Sequence, residues 1–220
     1  MKKVFTFLII IGILLISGVI FLEKFHPKQE KNFVQERLME EKPLKDKKIA
    51  MVIAFRDFRD EEYFTPKQIL ENEGARIVTI STSEGTAIGA DGGETMVNMV
   101  VDQVKAGDFD AIVFVGGPGC LKYLDNESSY RLIKETISAN KVLASICISP
   151  VILAKAGVLD GKKATVWSSP LDKSGIKTLE EYGALYYNQP VVVDGKIITA
   201  NGPGAAREFA QEIIRVLTAQ

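Results

Sequence analysis

The sequence predicts an α/β domain built on a mostly parallel sheet with helices on both faces. Three observations carry that prediction. Short, continuous apolar runs recur along the chain, the pattern of strands buried on both sides. Helical patterns separate these runs, which implies right-handed strand–helix–strand units. Glycine-rich turns follow several strand candidates, at the sheet edge where connecting loops gather and ligands bind.

Residues 48–55 (KIAMVIAF) form the first strand candidate. Thr65-Pro66 is expected to open a helix that Gly74 closes. Residues 76–81 (RIVTIS) give a second β-branched run, and 84–94, rich in Gly, Thr and Asp, read as an excursion. Residues 111–115 (AIVFV) lead into Gly116-Gly117-Pro118-Gly119. A helix is expected over 127–139, a strand over 142–146 and a helix over 149–156. Short strand candidates follow at 164–167, 184–187, 191–193 and 197–200, and 205–217 is an amphipathic closing helix. With no internal repeat and no second boundary, one domain is expected over 48–220.

The N-terminus stands apart from this domain. Residues 4–22 (VFTFLIIIGILLISGVIFL) carry no charge. As a helix they would span roughly 28 Å, close to the hydrocarbon thickness of a bilayer. A single membrane anchor is expected, with a cleaved signal peptide or a buried core helix as the alternatives. Lys2 and Lys3 favour a cytoplasmic N-terminus, which would place the domain outside the cytoplasm, either tethered or secreted after cleavage. Residues 23–47 are densely charged with both signs, as in a solvated spacer; 32–41 could also form a partner-binding helix.

Composition narrows the function. Hydrophobic residues are 46% and charged residues 25%, enough for a packed core. The net charge of −1 and the absence of a basic stripe argue against nucleic-acid binding. Cys120 and Cys147 are too few for a disulfide framework and lack metal-ligand spacing, so neither a metal nor another cofactor is expected. The only histidine is His26, outside the domain.

Cys147 sits where a strand turns into a helix (VLASICISP). The helix N-terminus offers partial positive charge and free N–H donors, which predicts a more acidic and more reactive thiol. The competing reading is a small apolar residue filling the core.

The runs SICISPVILAKAGVLDGKKATVW, VFVGGPG, VVVDGKIITANGPGAAREFA and RDEEYFTPKQILENEGARIVTIS together resemble the ThiJ/PfpI superfamily, relatives of the class I glutamine amidotransferase domain. The resemblance covers nearly the whole domain. It implies a flavodoxin-like three-layer sandwich, a homodimer, and a reactive cysteine on a nucleophile elbow at Cys147. It also implies a partner carboxyl at Glu62, four residues before Pro66, and backbone N–H groups at Gly117 and Ile148 as an oxyanion-type cradle. In peptidase-like members a histidine follows the cysteine, where this chain has Ile148; other members carry one at the position of Trp167. Both are gone, and acyl transfer by a cysteine–histidine dyad needs that imidazole.

Three functions follow as expectations. The first is cysteine-dependent addition to small electrophiles such as reactive carbonyls, of the glyoxalase or deglycase type and so hydrolase or lyase chemistry. The second is a non-enzymatic oxidation sensor or stress protein. The third, a peptidase or amidase acting on peptides, is disfavoured by the missing histidine. Cys120, at the same sheet edge, is either a packed loop residue or a disulfide partner for Cys147. The NGPGAA turn either cradles an anion or simply starts the last helix at Pro203. Trp167 is a pocket wall or plain core; Arg59, Asp60 and Glu61 read as solvated turn residues, though Arg59 could add positive potential.

Overall fold

The computed structural model describes residues 42–219. The expected anchor at 4–22, most of the charged spacer and His26 lie outside the described residues. Among the described residues no helix is long and apolar enough to cross a membrane.

The first half of the domain contains β1 (Lys48–Val52), β2 (Arg56–Phe58), α1 (Asp60–Asn72), β3 (Arg76–Ser81), β4 (Gly85–Gly89), β5 (Glu94–Val97), β6 (Met99–Val100) and β7 (Ala111–Phe114). The second half contains α2 (Cys120–Leu124), α3 (Glu127–Ser138), β8 (Val142–Ile146), α4 (Pro150–Lys155), β9 (Lys163–Ala164), α5 (Ser174–Glu181), β10 (Leu185–Tyr186), β11 (Val191–Asp194), β12 (Ile197–Ala200) and α6 (Ala206–Thr218).

Seven strands form the central sheet in the order β11-β12-β8-β7-β1-β3-β6. Every neighbouring pair is parallel except β11 with β12. This is the flavodoxin-like arrangement, a mostly parallel sheet with a helical layer on each face. The β1, β7 and β8 side chains are buried almost without exception, as parallel strands covered on both faces require. One face packs against α1 and α6 through Tyr63, Leu70, Phe209 and Ile213. The other packs against α3, α4 and α5 through Leu132, Ile133, Ile152, Leu153 and Leu179.

The first helix starts earlier than Thr65-Pro66 predicts. It begins at Asp60, and Pro66 lies inside it. Asp60, Glu61 and Glu62 put three acids at the positive helix end, which favours that start. Pro66 lacks the N–H that would bond the carbonyl four residues earlier, which is that of Glu62. The proline therefore loosens the helix ladder at Glu62 without ending the helix.

The expected excursion at 84–94 is also ordered. Here β4 pairs antiparallel with β5 and parallel with β2, a second, three-stranded sheet. Its turn is tied to α1, because the Asp60 carboxylate accepts the N–H groups of Asp91 at 2.8 Å and Gly93 at 2.6 Å. Four expected strands are shorter than predicted, with β1 ending at Val52, β7 at Phe114, β9 at Ala164 and β10 at Tyr186.

Candidate active site

Three chain segments converge at the carboxyl edge of the sheet: the turn from β2 into α1, the glycine turn after β7, and the elbow after β8. The elbow is a strained backbone. Cys147 has φ 68°, the left-handed region that a side-chain-bearing residue enters at a cost of about 1–2 kcal/mol. Neighbours hold it there. The Cys147 N–H donates to the Ala200 carbonyl at 2.8 Å, and its own carbonyl accepts the Trp167 N–H at 2.8 Å. Beneath it the buried Ser149 hydroxyl bonds the Phe114 carbonyl at 2.9 Å and meets the Ser145 hydroxyl at 2.7 Å. Ser149 Oγ also accepts the Ile146 N–H at 3.1 Å, so one hydroxyl staples the end of β8 to the end of β7.

Glu62 comes from the first turn of α1 and is fully buried. Neither of its carboxyl oxygens has a hydrogen-bond partner of standard geometry among the described residues. The polar groups beside it are the Cys147 side chain and the Gly116 N–H. Gly116 permits this meeting. A Cβ there would lie 2.5 Å from Cys147 Cβ and 2.7 Å from Glu62 Oε2. Gly117, at φ 115°, packs against the β2 turn, and a Cβ on it would lie 2.3 Å from the Arg59 nitrogen.

The electrostatics correct one expectation. The helix-terminus argument predicts an acidic thiol, but burial pushes the Cys147 thiol up, and the neighbouring Glu62 carboxylate adds to that. The Gly117 and Ile148 N–H groups point at the sulfur and oppose the rise. Burial also raises Glu62 to about 7, against a smaller lowering by Cys147 and Arg59. The two groups titrate as a pair: near pH 7 the first proton leaves Glu62, and the raised thiol holds the second mostly on the sulfur, from which the Glu62 carboxylate can accept it. When the proton sits on Glu62, the repulsion on the sulfur vanishes and the thiolate keeps its two N–H donors. The thiolate is thus one half of a proton-sharing dyad and not a freestanding acidic cysteine.

A cavity of about 360 Å³ opens over the dyad. Its walls include Arg59, Glu62, Gly117, Pro118, Leu121, Cys147, Ile148, Trp167, Asp172, Ser174 and Pro203. Trp167 is therefore a pocket wall. Pro203 contributes a wall as well as the turn into α6. Ile148, in the place of the lost histidine, lies close to Gly175 of α5. Cys120 is free and fully buried in the apolar layer opposite to the one that holds Cys147, so both cysteines are thiols. Asp172, Ser174 and Leu121 escaped the sequence reading because they lie in a loop and two helices that carry no motif. Among the described residues, no group of three or more His, Cys, Asp or Glu side chains is placed to hold a metal ion.

The DJ-1/PfpI family matches residues 47–216. The chain belongs to the DJ-1/PfpI family. An uncharacterized protein of Methanocaldococcus jannaschii is 43% identical over 79% of this chain and 84% of its own length. The deglycase PfpI of Pyrococcus furiosus is 28% identical over 76% of this chain and 98% of its own. Among solved structures, the ThiJ/PfpI domain protein from Brachyspira murdochii is 35% identical with a TM-score of 0.75, covering 80% of this chain and 99% of that one. The DJ-1/PfpI match ends at residue 216 and begins just before β1, so the uncharged N-terminal run lies outside it.

Proposed function

We propose that the domain is a cysteine-dependent enzyme that adds Cys147 to the carbonyl carbon of small reactive aldehydes and ketones, in deglycase or glyoxalase fashion. The observation that carries this reading is the dyad itself, a thiol on a strained elbow against a carboxyl whose pKa is about 7, under a cavity. The deglycase-named relatives support the same chemistry.

The step balances simply. Glu62 takes the thiol proton, the sulfur attacks the carbonyl carbon, and the π electrons move to the oxygen. Glu62 then returns its proton to that oxygen, giving a hemithioacetal with no net proton change. A group titrating near 7 suits both halves of that shuttle. With an α-oxoaldehyde, Glu62 would next move the C–H proton to the adjacent carbonyl carbon, while the hemithioacetal hydroxyl proton passes to the adjacent oxygen, leaving a thioester. Water then cleaves the resulting thioester to a 2-hydroxy acid. No histidine is needed at any step, and none lies among the described residues.

The test is methylglyoxal consumption by the full chain, its Cys147→Ser variant and its Glu62→Gln variant. Loss of at least about a hundredfold in both variants supports the reading. Equal consumption by wild type and Cys147→Ser overturns it. The oxidation-sensor reading has its own support in the two N–H donors around the sulfur, which also suit an oxidised, negatively charged cysteine. A stable oxygen adduct at Cys147 with no aldehyde turnover would favour it.

Two further expectations belong to this proposal. The uncharged run at 4–22 and the charged spacer after it support tethering of the domain to a membrane, which fractionation after alkaline washing would test. Light scattering of the purified chain would test the homodimer.

A further inference from the structure

One wall of the cavity carries a cation that the chemistry at Cys147 does not use. Arg59 lies immediately before α1, three residues ahead of Glu62. Its guanidinium reaches Asp91 at 3.2 Å, but the two side chains are 35% and 60% exposed. An ion pair that open to water is worth little and is readily traded for another anion. Arg59 is also one of the residues lining the cavity that holds Glu62 and Cys147. Its field already acts there, because it favours the charged form of Glu62.

The other charged groups around the cavity leave that field standing. Glu62, with a pKa of about 7, is half neutral at that pH and largely neutral below it. Asp172, another lining residue, is exposed and accepts the Ser174 N–H at 2.9 Å. A carboxylate so well hydrated is strongly screened by solvent. The cavity volume of about 360 Å³ lies within the size range of small-ligand sites, leaving room for a second group beyond the reacting carbonyl.

We infer that Arg59 forms a carboxylate subsite in this cavity, and that the preferred substrates are carbonyl compounds bearing a carboxylate near the reactive carbon. The guanidinium fork matches a carboxylate in two parallel hydrogen bonds, which would fix the carbonyl relative to the Cys147 sulfur. The substrate half of this inference rests on the thiol-addition reading, while the subsite itself rests on the cavity wall alone.

The test separates the two. The full chain carrying Cys147→Ala, which blocks the chemistry, is titrated with oxamate and with its neutral counterpart oxamide, followed by ligand-observed NMR. Oxamate should bind at least about tenfold more tightly, as expected for one charge-assisted pair. Adding Arg59→Gln should bring the two ligands within about threefold, and Arg59→Lys should keep part of the preference. Equal binding of the two ligands, no binding of either, or a preference that survives Arg59→Gln overturns the subsite. In parallel, the otherwise unaltered chain is given 4,5-dioxopentanoate, an α-oxoaldehyde that bears a carboxylate, and methylglyoxal, one that does not. Faster consumption of 4,5-dioxopentanoate, with the ratio collapsing in Arg59→Gln, is the expected result. A methylglyoxal preference overturns the substrate half. Arg59-dependent oxamate binding without consumption of either aldehyde overturns the thiol-addition reading and leaves the subsite in place.

Discussion

The Glu62 carboxyl and the Cys147 side chain meet across Gly116, which leaves no room for even one methyl group between them. A Cβ on that glycine would stand 2.5 Å from Cys147 Cβ and 2.7 Å from Glu62 Oε2. Real contacts of that kind do not occur, so something would have to move. One neighbour is a strained elbow and the other a buried carboxyl on a helix turn, and neither has slack.

Gly116→Ala should therefore damage the site more than the fold. Overpacking of this kind costs about 1–3 kcal/mol of stability, well within what a domain of this size tolerates. The separation of Glu62 from Cys147 should cut the alkylation rate of Cys147 at pH 7.5 by at least about tenfold. Thermal unfolding and iodoacetamide kinetics on the same protein check both halves. An alkylation rate equal to wild type would mean the two groups do not act together.

Glu62 also leaves a signature in pH. Its pKa is 4.5 in an ordinary setting and about 7 here, so between those values the folded chain holds a proton that the unfolded chain has lost. Stability from this group is fully present below about pH 4.5 and disappears as pH rises through 7. The change amounts to up to about 3 kcal/mol. Glu62→Gln should flatten the stability profile over that window. It should also abolish the rise in Cys147 alkylation near pH 7 that follows loss of the first proton from the pair. Denaturant melts at half-unit pH steps test the first point.

Ser149→Ala should cost about 2 kcal/mol, because Ser149 is fully buried and its loss strands the Ser145 hydroxyl. Replacing Ser145 by alanine in the same chain should recover part of that loss, since the stranded partner is then gone. A double-mutant cycle gives the coupling directly. Strict additivity of the two substitutions would show that the staple between the ends of β7 and β8 is not cooperative.

How much of this was readable beforehand follows from where each signal lives. The strand cores of β1, β7 and β8 and the turn at Cys147 were legible because continuous apolar runs and punctuating glycines are local signals. Glu62 was legible only by resemblance, as a carboxyl counted back from Pro66. The structure supplies a physical link, since Pro66 denies the Glu62 carbonyl its helix partner. The small sheet of β2, β4 and β5 was not legible. Its strands are short and gain their order from Asp60, some thirty residues distant from the turn that it holds. The thiol pKa was misread for a similar reason. Helix-end polarity shows in sequence, whereas burial and a carboxylate brought in from another segment do not.

The elbow strain yields the sharpest test of the backbone. In an ordinary helix interior, replacing alanine by glycine costs about 1 kcal/mol. At position 147, φ is 68°, where alanine is strained and glycine is not. The folded-state relief of about 1–2 kcal/mol should offset the extra freedom that glycine gains in the unfolded chain. Cys147→Gly should thus be at least as stable as Cys147→Ala, while Ala210→Gly in the interior of α6 should lose about 1 kcal/mol. Urea unfolding of the three variants beside wild type decides the matter. A Cys147→Gly chain clearly less stable than Cys147→Ala would mean that the elbow relaxes out of the left-handed region once the side chain is trimmed. The geometry that aims the sulfur would then be held by the cysteine itself and not by the Ala200 and Trp167 hydrogen bonds around it.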